Sequence, residues 1–154
     1  MKKNIIYLQM AALFLTAALH GALAAEKPFK GSFQAVETQA VQFPILTVTG
    51  RGTGNATHLG KFTMTYEAEV NLLTRVGIGS VEFIAANGDR VFADILGQST
   101  LTSTPHVVSI VEIVTITGGT GRFAGASGSL ISRRLLDQVT GNTSGAFDGT
   151  IVTQ

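Results

Sequence analysis

Residues 118–128, GGTGRFAGASG, form a glycine-dense segment between two apolar runs, residues 107–116 and 130–136. Glycine adopts backbone conformations that other residues disfavour, so it is frequent where a chain turns tightly. Both flanking runs contain many β-branched or leucine residues, a composition that fits buried strands. The segment, called the glycine loop below, is therefore predicted to join two strands by a tight turn.

The chain on either side of the glycine loop repeats one pattern, in which alternating apolar and polar residues are followed by a turn. Residues 62–70 show it most clearly, because Phe62, Met64 and Tyr66 share a strand face while threonine and glutamate occupy the other. The segment 86–89, ANGD, separates two such runs, and Asn-Gly predicts a hairpin with a type I′ turn. Residues 50–55, GRGTGN, are expected to form a turn for the same reason as the glycine loop.

Eight strands are predicted, at about residues 29–35, 45–49, 57–73, 79–85, 90–96, 107–116, 127–136 and 144–152. The sixth is nearly continuous in β-branched residues, which favours a strand covered on both faces. An open sheet of eight antiparallel strands would expose two edges, whereas closure removes them. The predicted fold class is all-β: a closed eight-stranded antiparallel β-barrel with short turns, and a β-sandwich is the alternative.

The N-terminal segment has the pattern of a secretory signal peptide. Lys2 and Lys3 precede the apolar residues 5–19, and Ala22-Leu23-Ala24 places small residues where a signal peptidase cleaves. We predict a signal peptide at 1–24 and a single β-barrel domain at 25–154, with cleavage after Ala25 or an uncleaved anchor as alternatives. The expected location is the bacterial periplasm or the medium outside the cell.

Composition restricts the chemistry. The chain has no cysteine, so disulfides and thiolate catalysis are excluded. Removing Lys2 and Lys3 changes the formal net charge from +1 to −1, and no basic run is present to bind nucleic acid. His58 and His106 lack a spaced set of further ligands, so we expect no metal and no cofactor. Without aromatic girdles, the mature chain is expected to have no membrane contact.

Four residues are candidate ligand-binding residues. Glu112 lies among apolar residues of its own strand face, and a carboxylate there either has a buried partner or points into a cavity. An exposed position on the outer face is the alternative, because the opposite strand face is equally apolar. Tyr66 could place a hydroxyl inside the barrel, although a core position is the alternative. Asp94 could join Glu112 or pair with an arginine. Arg133 and Arg134 project to opposite faces, so one faces inward, and Arg134 is the candidate.

Residues 117–128, TGGTGRFAGASG, resemble the GGTG-x-F-x-G-A-x-G segment of the allene oxide cyclase and dirigent barrels and of secreted bacterial proteins. Residues 54–63 are similar to a segment of the bacterial members. The resemblance implies an eight-stranded antiparallel barrel with a central cavity, in which the loop glycines turn the chain and the aromatic residue closes one end. The implied structural residues are Gly118, Gly119, Gly121, Phe123, Gly125 and Gly128. A phosphate-binding loop is not supported, because no P-loop lysine follows.

Three functions follow as hypotheses. The first is an exported barrel that binds a small apolar or phenolic ligand in its lumen. The second, implied by the resemblance, is a cyclase or dirigent-like enzyme that uses buried polar residues; no catalytic residue is assigned, and a non-enzymatic role is preferred. The third is a structural barrel without a ligand, and a homo-oligomer is left open.

Overall fold

The structure, a computed structural model, describes residues 24–154, so all of the predicted signal peptide except Ala24 lies outside the described residues. These residues form eight strands and one short 3-10 turn, Gly121–Phe123. The strands are β1 Glu26–Gln42, β2 Ile45–Ala56, β3 Gly60–Asn71, β4 Val76–Ala85, β5 Arg90–Leu101, β6 Val107–Gly119, β7 Ser127–Asp137 and β8 Asn142–Val152.

The strands close into a barrel. Each strand pairs antiparallel with its neighbours in the chain, and β1 also pairs with β8, from Glu26 opposite Val152 to Val36 opposite Asn142. This pairing leaves no sheet edge without a partner. The predicted closed eight-stranded antiparallel barrel is confirmed, and the sandwich alternative is wrong.

Antiparallel order divides the turns between two ends of the barrel. The turns at 43–44, 72–75, 102–106 and 138–141 lie at one end, called the open end. The turns at 57–59, 86–89 and 120–126 lie at the other, called the closed end. The glycine loop is therefore at the closed end.

Aromatic side chains fill the barrel near the closed end. Phe29, Phe62, Phe83 and Phe147 are buried, and the closest pairs of ring centroids are 5.3–6.5 Å apart, mostly edge to face. Phe123 of the glycine loop is 1% exposed and belongs to the same cluster. Edge-to-face packing stabilises a core beyond its buried area. This end of the barrel is a packed hydrophobic core.

Successive side chains of a strand point alternately into the barrel and out of it. In β3 the inward residues are the predicted ones, because Phe62, Met64 and Tyr66 are buried. The prediction that β6 is covered on both faces is wrong. Val111 and Ile113 are 43% and 52% exposed on its outer face, because no second layer packs on the barrel wall among the described residues.

Two predicted turns differ in the structure. Residues 50–55 lie inside β2, and their glycines have ordinary strand conformations; a side chain at Gly50 would collide with the Tyr66 ring. These glycines therefore leave space for atoms of the neighbouring strands and do not turn the chain. In the hairpin at 86–89 only Gly88 has positive φ, which fits a type I turn followed by a glycine and not the predicted type I′ turn.

Candidate functional site

Four polar side chains meet inside the barrel between the aromatic core and the open end. They are Glu37 on β1, Tyr66 on β3, Glu112 on β6 and Arg134 on β7, and we call them the polar layer. The side chains of Glu37, Arg134 and Glu112 are 1%, 9% and 11% exposed. Because charged groups rarely lie so deep without partners, their contacts decide what the layer can do.

Arg134 is the centre of the polar layer. Its Nε and Nη2 donate to Glu112 Oε1 at 3.1 and 3.0 Å, and its Nη1 donates to Glu37 Oε1 and, at 3.2 Å, to Thr143 Oγ1. Tyr66 donates its hydroxyl hydrogen to Glu37 Oε1 at 2.8 Å. One guanidinium therefore holds two carboxylates, and most of its donors are occupied.

Glycines opposite the charged residues leave room for the polar layer. Gly50 is the cross-strand partner of both Glu37 and Tyr66, so no side chain separates the carboxylate from the hydroxyl. In the same way, Glu112 faces Gly97 and Arg134 faces Gly145. A side chain on any of these glycines would crowd the polar layer; at Gly50 it would overlap the Tyr66 ring. The spacing of glycines in the strands is thus part of the site.

The electrostatics of the polar layer favour a protonated tyrosine and a charged arginine. Burial, followed by the negative charge of Glu37, raises the pKa of the Tyr66 hydroxyl well above its ordinary value. Burial disfavours the charged form of Arg134, but Glu112 and Glu37 outweigh that effect and raise the pKa of the guanidinium. The formal charges of two carboxylates and one guanidinium sum to −1. Tyr66 is a hydrogen-bond donor in it, not a base.

Above the polar layer the barrel widens into an open-end cavity of about 100 Å³, which we call the cup. Glu37, Glu112 and Arg134 lie at its floor. Its wall is mainly apolar and includes Leu46, Val48, Val70, Ile95, Val108 and Leu136. An apolar wall with a few convergent polar groups is the usual composition of a small-molecule site.

A second, enclosed cavity of about 20 Å³ lies on the aromatic side of the polar layer, with Glu112, Arg134 and Ser132 in its lining. The Ser132 hydroxyl is buried and has no hydrogen-bond partner among residues 24–154. A cavity of this size accommodates about one water molecule. Space for a larger ligand is therefore found in the cup and not in this cavity.

The structure brings together three of the four candidate residues. Glu112, Tyr66 and Arg134 are neighbours in the polar layer, whereas Asp94 is exposed on the outer wall of β5, because its strand face is the one that carries Phe92 and Leu96 outward. The expectation that Asp94 joins Glu112 is wrong. Glu37 was not predicted to be a site residue. It lies two residues after Ala35 on β1, on the same inward face as Phe33 and Ala35.

The glycine loop has the structural role that its sequence predicts. Gly121, Gly125 and Gly128 have positive φ, and Phe123 is buried at the closed end. Gly119 has no room for a side chain beside Phe123, whereas a side chain at Gly118 would meet no atom within 4 Å. Both of these lie in the last residues of β6 and not in the turn itself. The loop is thus far from the cup.

His58 and His106 lie in turns at opposite ends of the barrel, and both are exposed. His58 Nε2 is 3.0 Å from the Pro28 carbonyl oxygen. Among residues 24–154, no group of three histidine, aspartate or glutamate side chains is placed to hold a metal ion. The described part of the chain contains no helix long and apolar enough to cross a membrane.

Comparison with known proteins gives no match: no protein-family model, no curated protein and no solved structure corresponds to this chain. Its class is therefore defined by its own fold and site. It is a closed eight-stranded antiparallel barrel with a packed aromatic closed end and a polar layer beneath an apolar cup.

Proposed function

We propose that this protein binds a small, mostly apolar molecule in the cup, with a hydroxyl group of the ligand directed at the polar layer. The observation that carries the proposal is the floor of the cup, where two carboxylates share one guanidinium in a mainly apolar surround. Buried charges in an apolar environment need hydrogen-bonding partners. A ligand hydroxyl group would supply such a hydrogen-bonding partner to the charged groups at the floor of the cup.

The free hydrogen-bonding capacity of the floor indicates a donor on the ligand. Arg134 binds Glu112 only through Oε1, and no other side chain among residues 24–154 donates to Glu112 Oε2. A phenol or alcohol can donate to that oxygen, whereas a carboxylate would meet the net negative charge of the layer. The ligand class that fits is a small apolar or phenolic molecule with a hydroxyl group.

The size of the cup limits the ligand to about one ring. A closed cavity of about 150 Å³ can hold benzene, and the cup, at about 100 Å³, is open to solvent at its mouth. One ring can therefore enter while a substituent extends outward. Larger polycyclic molecules would need the strands to separate.

A cyclase or dirigent-like enzyme is the second candidate, and a specific observation favours it: the cup contains Glu112 together with an arginine. Such a site could polarise a substrate through Arg134 and accept a proton at Glu112. Binding is preferred over catalysis because both carboxylates already bind Arg134, an arrangement that also occurs in purely structural ion-pair networks. The similarity of the glycine loop to allene oxide cyclase and dirigent barrels supports the fold more than the activity.

Export is the other part of the proposal. The charged start, apolar run and small residues of 1–24 support a secretory signal peptide and a periplasmic or secreted location. Edman sequencing or mass spectrometry of the protein from a bacterial periplasmic fraction is expected to give a mature N-terminus at Ala25. An intact Met1 in the exported fraction would contradict it.

The binding proposal is tested by titrating the protein with 4-ethylphenol and with ethylbenzene in isothermal titration calorimetry. The two probes differ in the hydroxyl donor alone. A hydrogen bond to a charged acceptor contributes about 1.5–3 kcal/mol, so 4-ethylphenol is expected to bind at one site at least tenfold more tightly.

Two variants on adjacent residues of β5 locate that site. Ser99 lines the cup, whereas Thr100 is exposed on the outer wall. Ser99→Phe is expected to fill the mouth of the cup and abolish 4-ethylphenol binding, and Thr100→Phe to leave it unchanged. Absence of binding to the wild type, or equal loss in both variants, would favour the structural barrel without a ligand.

A further inference from the structure

Arg75 occupies an unusual position at the mouth of the cup. It is the last residue of the β3–β4 turn, its side chain is exposed, and it contributes to the lining of the cup. The other polar residues of this lining outside the polar layer, such as Gln39, Ser99 and Gln138, are uncharged. The mouth of the cup therefore has a positive charge opposite a negatively charged floor.

The backbone at Arg75 is held in the left-handed region, with φ of +60°. Its amide donates to the Asn71 carbonyl at 2.7 Å and its carbonyl accepts from the Ser99 amide at 3.1 Å, so hydrogen bonds on both sides hold this conformation. Glycine is the residue that suits such a turn position, and a long side chain there is strained. Three non-glycine residues of the described chain have positive φ, His58, Arg75 and His106, and of these Arg75 alone lines the cup.

No acidic partner among residues 24–154 pairs with the Arg75 guanidinium, whereas Arg90, Arg122 and Arg134 each form an ion pair. Its charge is therefore available to a group outside the chain. An arginine fork suits a carboxylate, which it can hold through two parallel hydrogen bonds.

We propose that Arg75 binds an anionic group of the ligand, so that the preferred ligand is a single-ring hydroxylated carboxylate with its hydroxyl at the polar layer and its carboxylate at the mouth. This inference rests on the proposed function, because it takes the cup as the ligand site. Beyond the proposed function, it assigns the ligand a second polar group, a carboxylate, and names Arg75 as the residue that recognises this group.

The register of the strands places Arg75 two strands away from Glu112 and nearer the open end. Gly77 pairs with Gly97, which pairs with Glu112, and Arg75 lies two residues further toward the open end than Gly77. Arg75 and Glu112 are offset by two residues along the strand direction and by two strands across the sheet. Their backbones are therefore about 12 Å apart. The two residues are therefore close enough for one small ligand in the cup to contact both.

The test compares two ligands, 4-ethylphenol and 3-(4-hydroxyphenyl)propanoate, on the full chain at pH 7.5 by isothermal titration calorimetry. The first has only the hydroxyl, and the second adds the carboxylate. Wild-type protein is expected to bind the propanoate at least tenfold more tightly. Arg75→Gln is expected to remove this advantage and leave the affinity for 4-ethylphenol unchanged. Arg51→Gln, which removes an exposed charge on the outer face of β2, is the matched control and should change neither affinity.

Arg75→Gly gives a second readout that does not depend on any ligand. If the left-handed backbone is strained, this variant should unfold at a melting temperature about 2–4 °C higher than the wild type while losing the propanoate preference. Equal affinity of the wild type for both ligands, or an unchanged preference in Arg75→Gln, would overturn the role of Arg75 but leave the cup as a hydroxyl-binding site. Failure of both ligands to bind would overturn the proposed function and this inference together.

Discussion

The two ends of the barrel differ in how their interiors are filled. At the closed end, the rings of four phenylalanines pack against one another, and Phe123 belongs to the same buried cluster. Among residues 24–154, the Ser132 hydroxyl is the one buried side-chain group without a hydrogen-bond partner. Toward the open end the interior contains the polar layer and the cup. A barrel of this size could be filled throughout by apolar side chains. We infer from this difference that the closed end stabilises the fold, and we propose that the polar layer serves ligand binding.

The largest expected effect comes from emptying the closed end. Phe147→Ala removes a buried ring that packs against Phe29 at 5.3 Å and Phe83 at 5.8 Å between centroids. Loss of such a ring from a packed core lowers the free energy of unfolding by about 3–5 kcal/mol. Urea denaturation measures it. Phe92→Ala, on the outer wall, is the control and should have an effect below about 1 kcal/mol; equal effects would contradict the assignment of the core.

A smaller effect is expected where the strands make room for the polar layer. In Gly50→Ala the new methyl group overlaps the Tyr66 ring, so Tyr66 must move away from Glu37. Overpacking of this kind lowers the free energy of unfolding by about 1–3 kcal/mol. The control is Gly118→Ala, because a side chain there meets nothing within 4 Å and its φ is not positive. Indistinguishable melting temperatures for the two variants would show that Gly50 is not needed for the site.

The smallest effect is expected from the tyrosine, whose contribution to stability changes with pH only in alkali. The pKa of Tyr66 is raised in the folded protein by burial and then by Glu37. A raised pKa means that its contribution to stability is complete below the unfolded value near pH 10 and is lost as pH rises above it. The stability difference between wild type and Tyr66→Phe should therefore decline by about 1.4 kcal/mol per pH unit above pH 10.

Absorbance at 295 nm, compared between these two proteins, detects tyrosinate directly. The folded wild type is expected to show no ionisation of Tyr66 near pH 10. Ionisation there, with the barrel still folded by circular dichroism, would contradict the buried hydrogen bond to Glu37.

Alternation predicted the buried residues of the closed end and composition predicted the turn in the glycine loop, whereas the turn before β3 was misplaced and the type of the turn at 86–89 was wrong. Phe62 and Phe33 follow strict two-residue periodicity, and the glycine loop has the positive φ values that its composition requires. Strand alternation also placed Tyr66 on the apolar face of its strand, but it left the orientation of Glu112 open because both faces of its strand are apolar. The features that were predicted depend on local sequence, which is why they could be predicted from it.

The polar layer could be predicted only in part, because it depends on register across strands that are distant in the chain. Glu37 and Arg134 are 97 residues apart and meet only because β1 and β7 both lie next to β8. Asp94 has the same local appearance as Glu112 but lies on the other face. The glycines of β2 were taken for a turn because a glycine that makes room for a ring and a glycine that turns a chain look alike in sequence.

The central claim is that the polar layer serves ligand binding more than stability, and one variant tests it most directly. Replacing both carboxylates and the guanidinium together, as Glu37→Met, Glu112→Leu and Arg134→Met, removes the layer without leaving an unpaired buried charge. Such replacements are often neutral or stabilising. We predict a free energy of unfolding within about 1 kcal/mol of the wild type or higher, with 4-ethylphenol affinity reduced at least tenfold. A variant that loses several kcal/mol of stability yet binds 4-ethylphenol with wild-type affinity would contradict the claim.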